Sequence, residues 1–277
     1  MSEHVLRLDR DGNVDRRFAI EAPDRPAYLN GGALHPWGDG FLLSFNEQLE
    51  RYRGDGSLDR TFGEEGVVTT AGSFVSRLAR LADGSIVRGT HSVEDGKVFT
   101  RFAANGDPHL GFGTGGRVTL AGIRSLYGLV GLDDGGFVFA ANDVALSPED
   151  FQGYVTRMTA DGTLDGDFGV LGEVAVDDGS GATRGLYGIA VFEERIYGWG
   201  IRHVDGEALR GFVVAYDLTG SVDSTFGDGG FLDLGELVLP RTGVVDEEAG
   251  RLILGCARPL SPARDATRMV GVVRLWL

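Results

Sequence analysis

One phrase, Asp-Gly-x-x-Asp-x-x-Phe, recurs along this 277-residue chain and constrains its fold more than any other feature. It reads DGNVDRRF from Asp11, DGSLDRTFG from Asp55, DGTLDGDFG from Asp161 and TGSVDSTFG from Thr219, with a degenerate copy, NGDPHLGFG, from Asn105. A repeat with a period of about 50 residues points to a stacked or radial array of one supersecondary unit. The flanks repeat as well. An alternating stretch precedes each phrase (HVLRLD, QLERYR, KVFTRF, GYVTRM, GFVVAYD), and a short apolar piece follows it (FAIEA, VVTTA, RVTLA, EVAVD, FLDLG). Then come an apolar stretch ending in an acidic turn, and a last apolar run such as FLLSF, SIVRGT, FVFAA, RIYGWG or RLILGC.

Each piece has the length and the β-branched, aromatic content of a strand, and nothing in any unit reads as a helix of more than a turn or two. Four-stranded antiparallel units repeated in this way are β-propeller blades. The expected fold is therefore all-β, one propeller domain over residues 1–277 with five four-stranded blades, six being the alternative count. In this reading the strand after the phrase lies innermost, the strand before it outermost, and the phrase joins one blade to the next. Both His4–Leu8 and Val270–Leu275 fit the outermost slot of the last blade, so either end of the chain could close it.

Composition agrees with many tight turns: Gly 45 is about one residue in six, far above the usual share of roughly 7%. A net charge of −15 disfavours nucleic acid and anionic membrane surfaces as partners. Cys256 is the sole cysteine, so no intrachain disulfide can form. The N-terminus has neither the basic nor the apolar region of a signal peptide, and no apolar run is long enough for a membrane span. For a full-length chain the cytoplasm is the expected address.

The phrases LDRTFGEEGVV, LDGDFGVLGEV and VDSTFGDGGFL resemble the delta-60 repeat of bacterial proteins. The resemblance covers nearly the whole chain and implies a β-propeller architecture. It carries no assigned activity and no catalytic residues.

Asp15, Asp59, Asp165 and Asp223 recur with the phrase. A residue present in blade after blade is expected to build the blade, accepting backbone N–H bonds in its turn, while Phe18, Phe62, Phe168 and Phe226 bury. Asp9, Asp11, Asn13 and Asp15 alternate like the first ligands of a calcium loop, but Gly12 sits at the fourth position, and no Glu follows at the required distance. The five histidines have no paired spacing, so no zinc site and no cofactor is expected.

Function is sought where blades differ. The connections HSVEDGK, NDVALSPEDFQG, IRHVDGEALRG and ARPLSPARDATR share one rim and vary in length and charge. Variable loops on a rigid frame are where sites usually sit. Two units enter a strand with similar words, Arg124-Ser-Leu-Tyr127-Gly and Arg184-Gly-Leu-Tyr187-Gly, and Arg241 lies in a comparable region. Arg124, Tyr127, Arg184, Tyr187 and Arg241 are thus expected to form an anion-friendly pocket at a channel mouth. Local ion pairing of each arginine is the competing reading. The expected partner is a small-molecule anion, a glycan or a protein. Trp37, Trp199, Tyr197 and Trp276 could stack on sugar, though blade packing better explains Trp199, and Trp37 in its HPWGDG turn is the better exposed candidate. The alternative function is an enzyme in which arginine orients a carboxylated or phosphorylated substrate, while His91, Asp143 or His203 moves a proton.

Overall fold

Alternation of apolar residues along each strand is met by sheets with both faces covered. In the computed structural model, residues 5–9, 11–21, 32–45, 47–70, 75–92, 96–121, 124–143, 152–203, 207–236, 238–259 and 268–277 are described. Nineteen strands and no helix are found among them, arranged as five antiparallel sheets. No helix among the described residues is long and apolar enough to cross a membrane. The fold is all-β, a five-bladed β-propeller.

The chain forms two compact units, Met1–Gly122 and Ile123–Leu277. The first holds a sheet of β1 (Ala33–Trp37), β2 (Gly40–Phe45), β3 (Gln48–Tyr52) and β4 (Val67–Thr69). Its second sheet is β5 (Val75–Arg80), β6 (Ile86–Ser92), β7 (Gly96–Phe102) and β8 (Arg117–Leu120). The second unit begins with β9 (Arg124–Gly131), β10 (Phe137–Asp143), β11 (Gly153–Met158) and β12 (Glu173–Ala175). It continues with β13 (Thr183–Phe192), β14 (Arg195–His203), β15 (Arg210–Asp217) and β16 (Phe231–Glu236). A fifth sheet contains β17 (Leu239–Asp246), β18 (Arg251–Pro259) and β19 (Arg268–Trp276).

This order corrects the expected strand assignment. The strand after each phrase is the last of its sheet, paired with the strand before the phrase: β4 with β3, β8 with β7, β12 with β11, β16 with β15. The phrase therefore turns the chain within a blade and does not join two blades. The first piece, FAIEA, forms no strand over residues 18–21, and its last residue lies outside the described ones. Of the two end segments, the C-terminal one lies in the fifth sheet as β19, paired with β18 from Pro259↔Arg268 to Arg251↔Trp276. Residues 5–8 form no strand, only a bridge from Leu8 to Val14.

Successive side chains of a strand serve opposite faces. In β15, Phe212, Val214 and Tyr216 pack into a core with Val138, Ala140 and Val155 of the third sheet. Val213 and Ala215 pack the other way, against Leu252, Leu254 and Cys256 of the fifth. In the first unit, Leu42, Leu49 and Phe62 meet Leu78, Ile86 and Phe102.

The phrase aspartates have two jobs. Each accepts the N–H two residues on: Arg17 to Asp15 (3.0 Å), Thr61 to Asp59 (3.2 Å), Asp167 to Asp165 (3.1 Å) and Thr225 to Asp223 (3.0 Å). Each also pairs with an arginine: Arg7–Asp15 (2.7 Å), Arg51–Asp59 (2.9 Å), Arg157–Asp165 (2.9 Å) and Arg195–Asp223 (2.8 Å). The exceptions compensate locally. Where the phrase has His109, Arg101 pairs with Asp83 (2.8 Å); where the third strand has Ala215, Arg195 of β14 takes its place.

The same arginines reach the next repeat. Arg7 donates to the Gly54 carbonyl, Arg51 to that of Ala104 and Arg157 to that of Leu218, each at 2.5 Å. Arg51→Ala should thus cost about 1–3 kcal/mol in urea unfolding, because Asp59 loses its shorter ion pair and the Ala104 carbonyl its charged donor together. A loss below about 0.5 kcal/mol would show that the staple contributes nothing.

Candidate functional site

The first strands of the second unit, β9, β13 and β17, each carry one residue too many for their partner strand. The register slips between Ala140 and Ala141 opposite β9, between Leu186 and Gly188 in β13, and between Pro240 and Thr242 in β17. The extra residues are Tyr127, Tyr187 and Arg241. They occupy one equivalent position in three consecutive sheets. A bulge leaves its extra residue unpaired and re-aims the side chain, and bulges concentrate beside functional sites.

The re-aimed side chains meet. The Tyr127 and Tyr187 rings lie edge to face with centroids 5.4 Å apart. The Arg241 guanidinium sits over the Tyr187 ring, 4.2 Å from its centroid. Both tyrosines are half-buried and Arg241 is exposed. Arg241 has no carboxylate within ion-pairing distance among the described residues, in contrast to Arg51, Arg157, Arg184 and Arg210. Burial, with Tyr187 alongside, holds the Tyr127 hydroxyl above the ordinary tyrosine range, against hydrogen bonds from Asn142 and Ser125 and the charge of Arg241.

Two local features fix the geometry. Asn142, buried at the end of β10, clamps the backbone of Leu186: its Nδ2 donates to the Leu186 carbonyl and its Oδ1 accepts the Leu186 N–H, both at 2.8 Å. Leu186 immediately precedes the bulged Tyr187, so the clamp holds the bulge from the neighbouring sheet. Gly200 is the second feature. A Cβ there would stand 1.8 Å from the Gly185 carbonyl oxygen, so the bulge closes against β14 only over a glycine.

Of the expected pocket residues, the structure brings Tyr127, Tyr187 and Arg241 together. Arg184 does not join them. It is 1% exposed and turns into the β12–β13 connection, donating to the Ala182 carbonyl (2.8 Å) and Ser180 Oγ (2.9 Å) and pairing with Asp178 and with Asp177 (3.8 Å). The Arg124 side chain lies outside the described residues, although its backbone pairs with Asp143. Arg241 corresponds to the two tyrosines, not to Arg124 and Arg184.

The proton-transfer candidates stand at the ends of three second strands, β6, β10 and β14. Asp143 accepts a hydrogen bond from the Tyr154 hydroxyl (3.2 Å), His203 is half-buried opposite Thr183, and the His91 side chain is outside the described residues. Part of each variable connection is also outside them: 93–95, 144–151, 204–206 and 260–267. Among the described residues, no three metal-ligating side chains come together. In the N-terminal loop, Asp9 accepts the N–H groups of Asp11 and Asn13 (both 2.9 Å) and Asp15 is held by Arg7.

The tryptophans divide between packing and exposure. Trp199 is buried against Gly188 and Gly243, where added Cβ atoms would fall 2.2 and 2.8 Å from its ring. Trp37 is half-buried beneath Arg80, 4.7 Å from its centroid.

No protein-family model and no curated protein matches the sequence. Among solved structures, the chain is similar to a putative TolB from Agrobacterium tumefaciens, with 15% identity and a TM-score of 0.52 over 89% of this chain and 76% of that one. It is similar also to a bifunctional GH43-CE protein of Bacteroides eggerthii (12% identity, TM-score 0.47, 89% of this chain), of which it spans 33%. An endo-arabinase from Bacteroides thetaiotaomicron gives 13% identity and a TM-score of 0.47 over 90% of this chain and 94% of that one. The first likeness carries the propeller fold alone.

Proposed function

We propose that this chain is a binding scaffold of the delta-60 repeat type, and that its second unit takes a small anionic ligand at Arg241, Tyr187 and Tyr127. The observation that carries this reading is the coincidence of three equivalent bulges whose side chains converge, with an exposed guanidinium at one end. Stacking on Tyr187 holds the guanidinium plane in place and leaves its N–H fork for a carboxylate or phosphate. The tyrosines add a flat apolar wall and a hydroxyl. The acidity of the rest of the chain does not oppose this, since binding is decided by the groups facing the ligand.

Titration calorimetry with small mono- and dicarboxylates, sugar acids and phosphate esters tests the proposal. Arg241→Ala is expected to weaken the best ligand roughly 10- to 100-fold, the effect of removing a charge-assisted hydrogen bond. The melting temperature should hold, because Arg241 is exposed. Affinity should also fall with added salt. Equal binding by wild type and Arg241→Ala for every confirmed ligand would overturn the assignment. The enzyme reading has less support, since Asp143 and His203 are in separate sheets.

A further inference from the structure

A staple arginine stands at one register position of the third strands: Arg51 opposite Leu42, Arg101 opposite Val87 and Arg157 opposite Val138. These three pair with Asp59, Asp83 and Asp165. Arg274 of β19 holds the same position, opposite Ile253. It is exposed and has neither an ion pair nor a hydrogen bond among the described residues. The phrases are all in use. Each bridges back to the segment before it: Val14 to Leu8, Leu58 to Tyr52, Pro108 to Phe102, Leu164 to Met158 and Val222 to Tyr216. No such bridge reaches Leu275, the corresponding residue of β19, among the described residues. The fifth sheet therefore carries the arginine of a staple without its phrase.

The edge and the face beside Arg274 are open as well. The other four sheets carry a fourth strand along the third, at Gln48–Glu50, Lys97–Thr100, Tyr154–Thr156 and Arg210–Val214. Among the described residues β19 pairs only with β18, so the matching stretch, Gly271–Val273, has no strand on its far side. The face tells the same story. Val213 and Ala215 of the fourth sheet are fully buried against the fifth. Counted from the equivalent pairs Arg195↔Asp217 and Arg251↔Trp276, their counterparts in β19 are Val272 and Arg274. Val272 is 67% exposed, and Val244 and Trp276, on the same face, are 60% and 75% exposed. An apolar strand left at a sheet edge is a template for pairing with another chain.

We propose that this end of the fifth sheet binds a segment of another protein that carries the repeat's own Asp-x-x-Phe phrase followed by a β-branched strand. The first sheet supplies the pattern. The partner's aspartate accepts from Arg274 as Asp59 does from Arg51, and its phenylalanine lies against the guanidinium as Phe62 does, 4.8 Å away. The strand that follows pairs with Gly271–Val273 as Val67–Thr69 pairs with Gln48–Glu50. The charge-assisted bond fixes the register, while edge pairing supplies the backbone hydrogen bonds. A second copy has no spare phrase to offer, since all five are engaged. The surface is separate from the Arg241 cluster, because Arg241 lies on β17, at the opposite edge of the sheet.

The test is fluorescence anisotropy of a labelled peptide with the sequence of residues 55–70, DGSLDRTFGEEGVVTT, titrated with the full chain. Saturable binding is expected, with amide hydrogen exchange at Gly271–Val273 slowed in the complex. Arg274→Ala in the protein, or Asp59→Asn in the peptide, should weaken binding at least about tenfold, the effect of losing a charge-assisted hydrogen bond. The melting temperature of Arg274→Ala should match wild type, because the side chain is exposed and makes no bond to lose. Arg241→Ala should bind the peptide as wild type does, which separates this surface from the anion site. Absence of saturable binding, or equal affinity for either variant, would overturn the proposal. So would concentration-dependent self-association in sedimentation velocity that Arg274→Ala abolishes, because a second copy would then be the occupant.

Discussion

Asn142→Ala is expected to lower the unfolding free energy of the second unit by about 2–4 kcal/mol. The side chain is 1% exposed and satisfies both backbone groups of Leu186. Truncation leaves a buried N–H and a buried carbonyl unpaired, and each such group costs about 1–3 kcal/mol. Water entering the space can recover part of this, which sets the lower bound. The effect should extend to the site, because Leu186 anchors the bulge at Tyr187. The edge-to-face pair of Tyr127 and Tyr187 should lose its near-ultraviolet circular dichroism in conditions where the far-ultraviolet signal is intact. A variant whose urea midpoint moves by less than the equivalent of about 0.5 kcal/mol would refute the clamp.

Gly200→Ala should be at least as damaging, at about 3 kcal/mol or more, for a steric reason. The new Cβ would overlap the Gly185 carbonyl oxygen, which belongs to backbone and has little freedom to yield. The bulge must flatten or β13 must part from β14. Either outcome takes Tyr187 from beneath Arg241, so ligand affinity should fall even in the folded fraction. Gly271→Ala supplies the control. A Cβ there meets open space, and its stability change should stay within about 0.5 kcal/mol. If both variants melt alike, the close approach at Gly200 does not govern the bulge.

The strands themselves were legible in the sequence, because period-two patterning and the recurring phrase mark where each begins and ends. The blade boundary was not. In a cyclic pattern of four strands, sequence order is the same wherever the cut is made, and only hydrogen bonding tells that Val67–Thr69 belongs with Gln48–Tyr52. The bulges left a partial trace: Gly128 and Gly188 inside strands are signals of close approach. The third bulge carries Arg241 in place of tyrosine, so its equivalence was hidden by a slipped alignment. Arg184 looked like its twin Arg124, but its burial depends on Asp177, Asp178 and Ser180, in a connection without a counterpart beside Arg124. Asn142 gave no signal as a clamp, since its partner lies 44 residues on.

The arginine staples bear on how such a chain changes over generations. Each joins a repeat only to its immediate successor, and each irregular repeat balances its own books, Arg101 with Asp83 and Arg195 with Asp223. Drift in one repeat therefore makes no demand on a distant one. A gene that duplicates or loses a whole phrase-and-sheet module creates or removes one interface of a kind already present. The bulge cluster obeys a different rule, because it needs three neighbours at once. Modular exchange would preserve the scaffold while erasing the site, so the two are expected to part company among descendants.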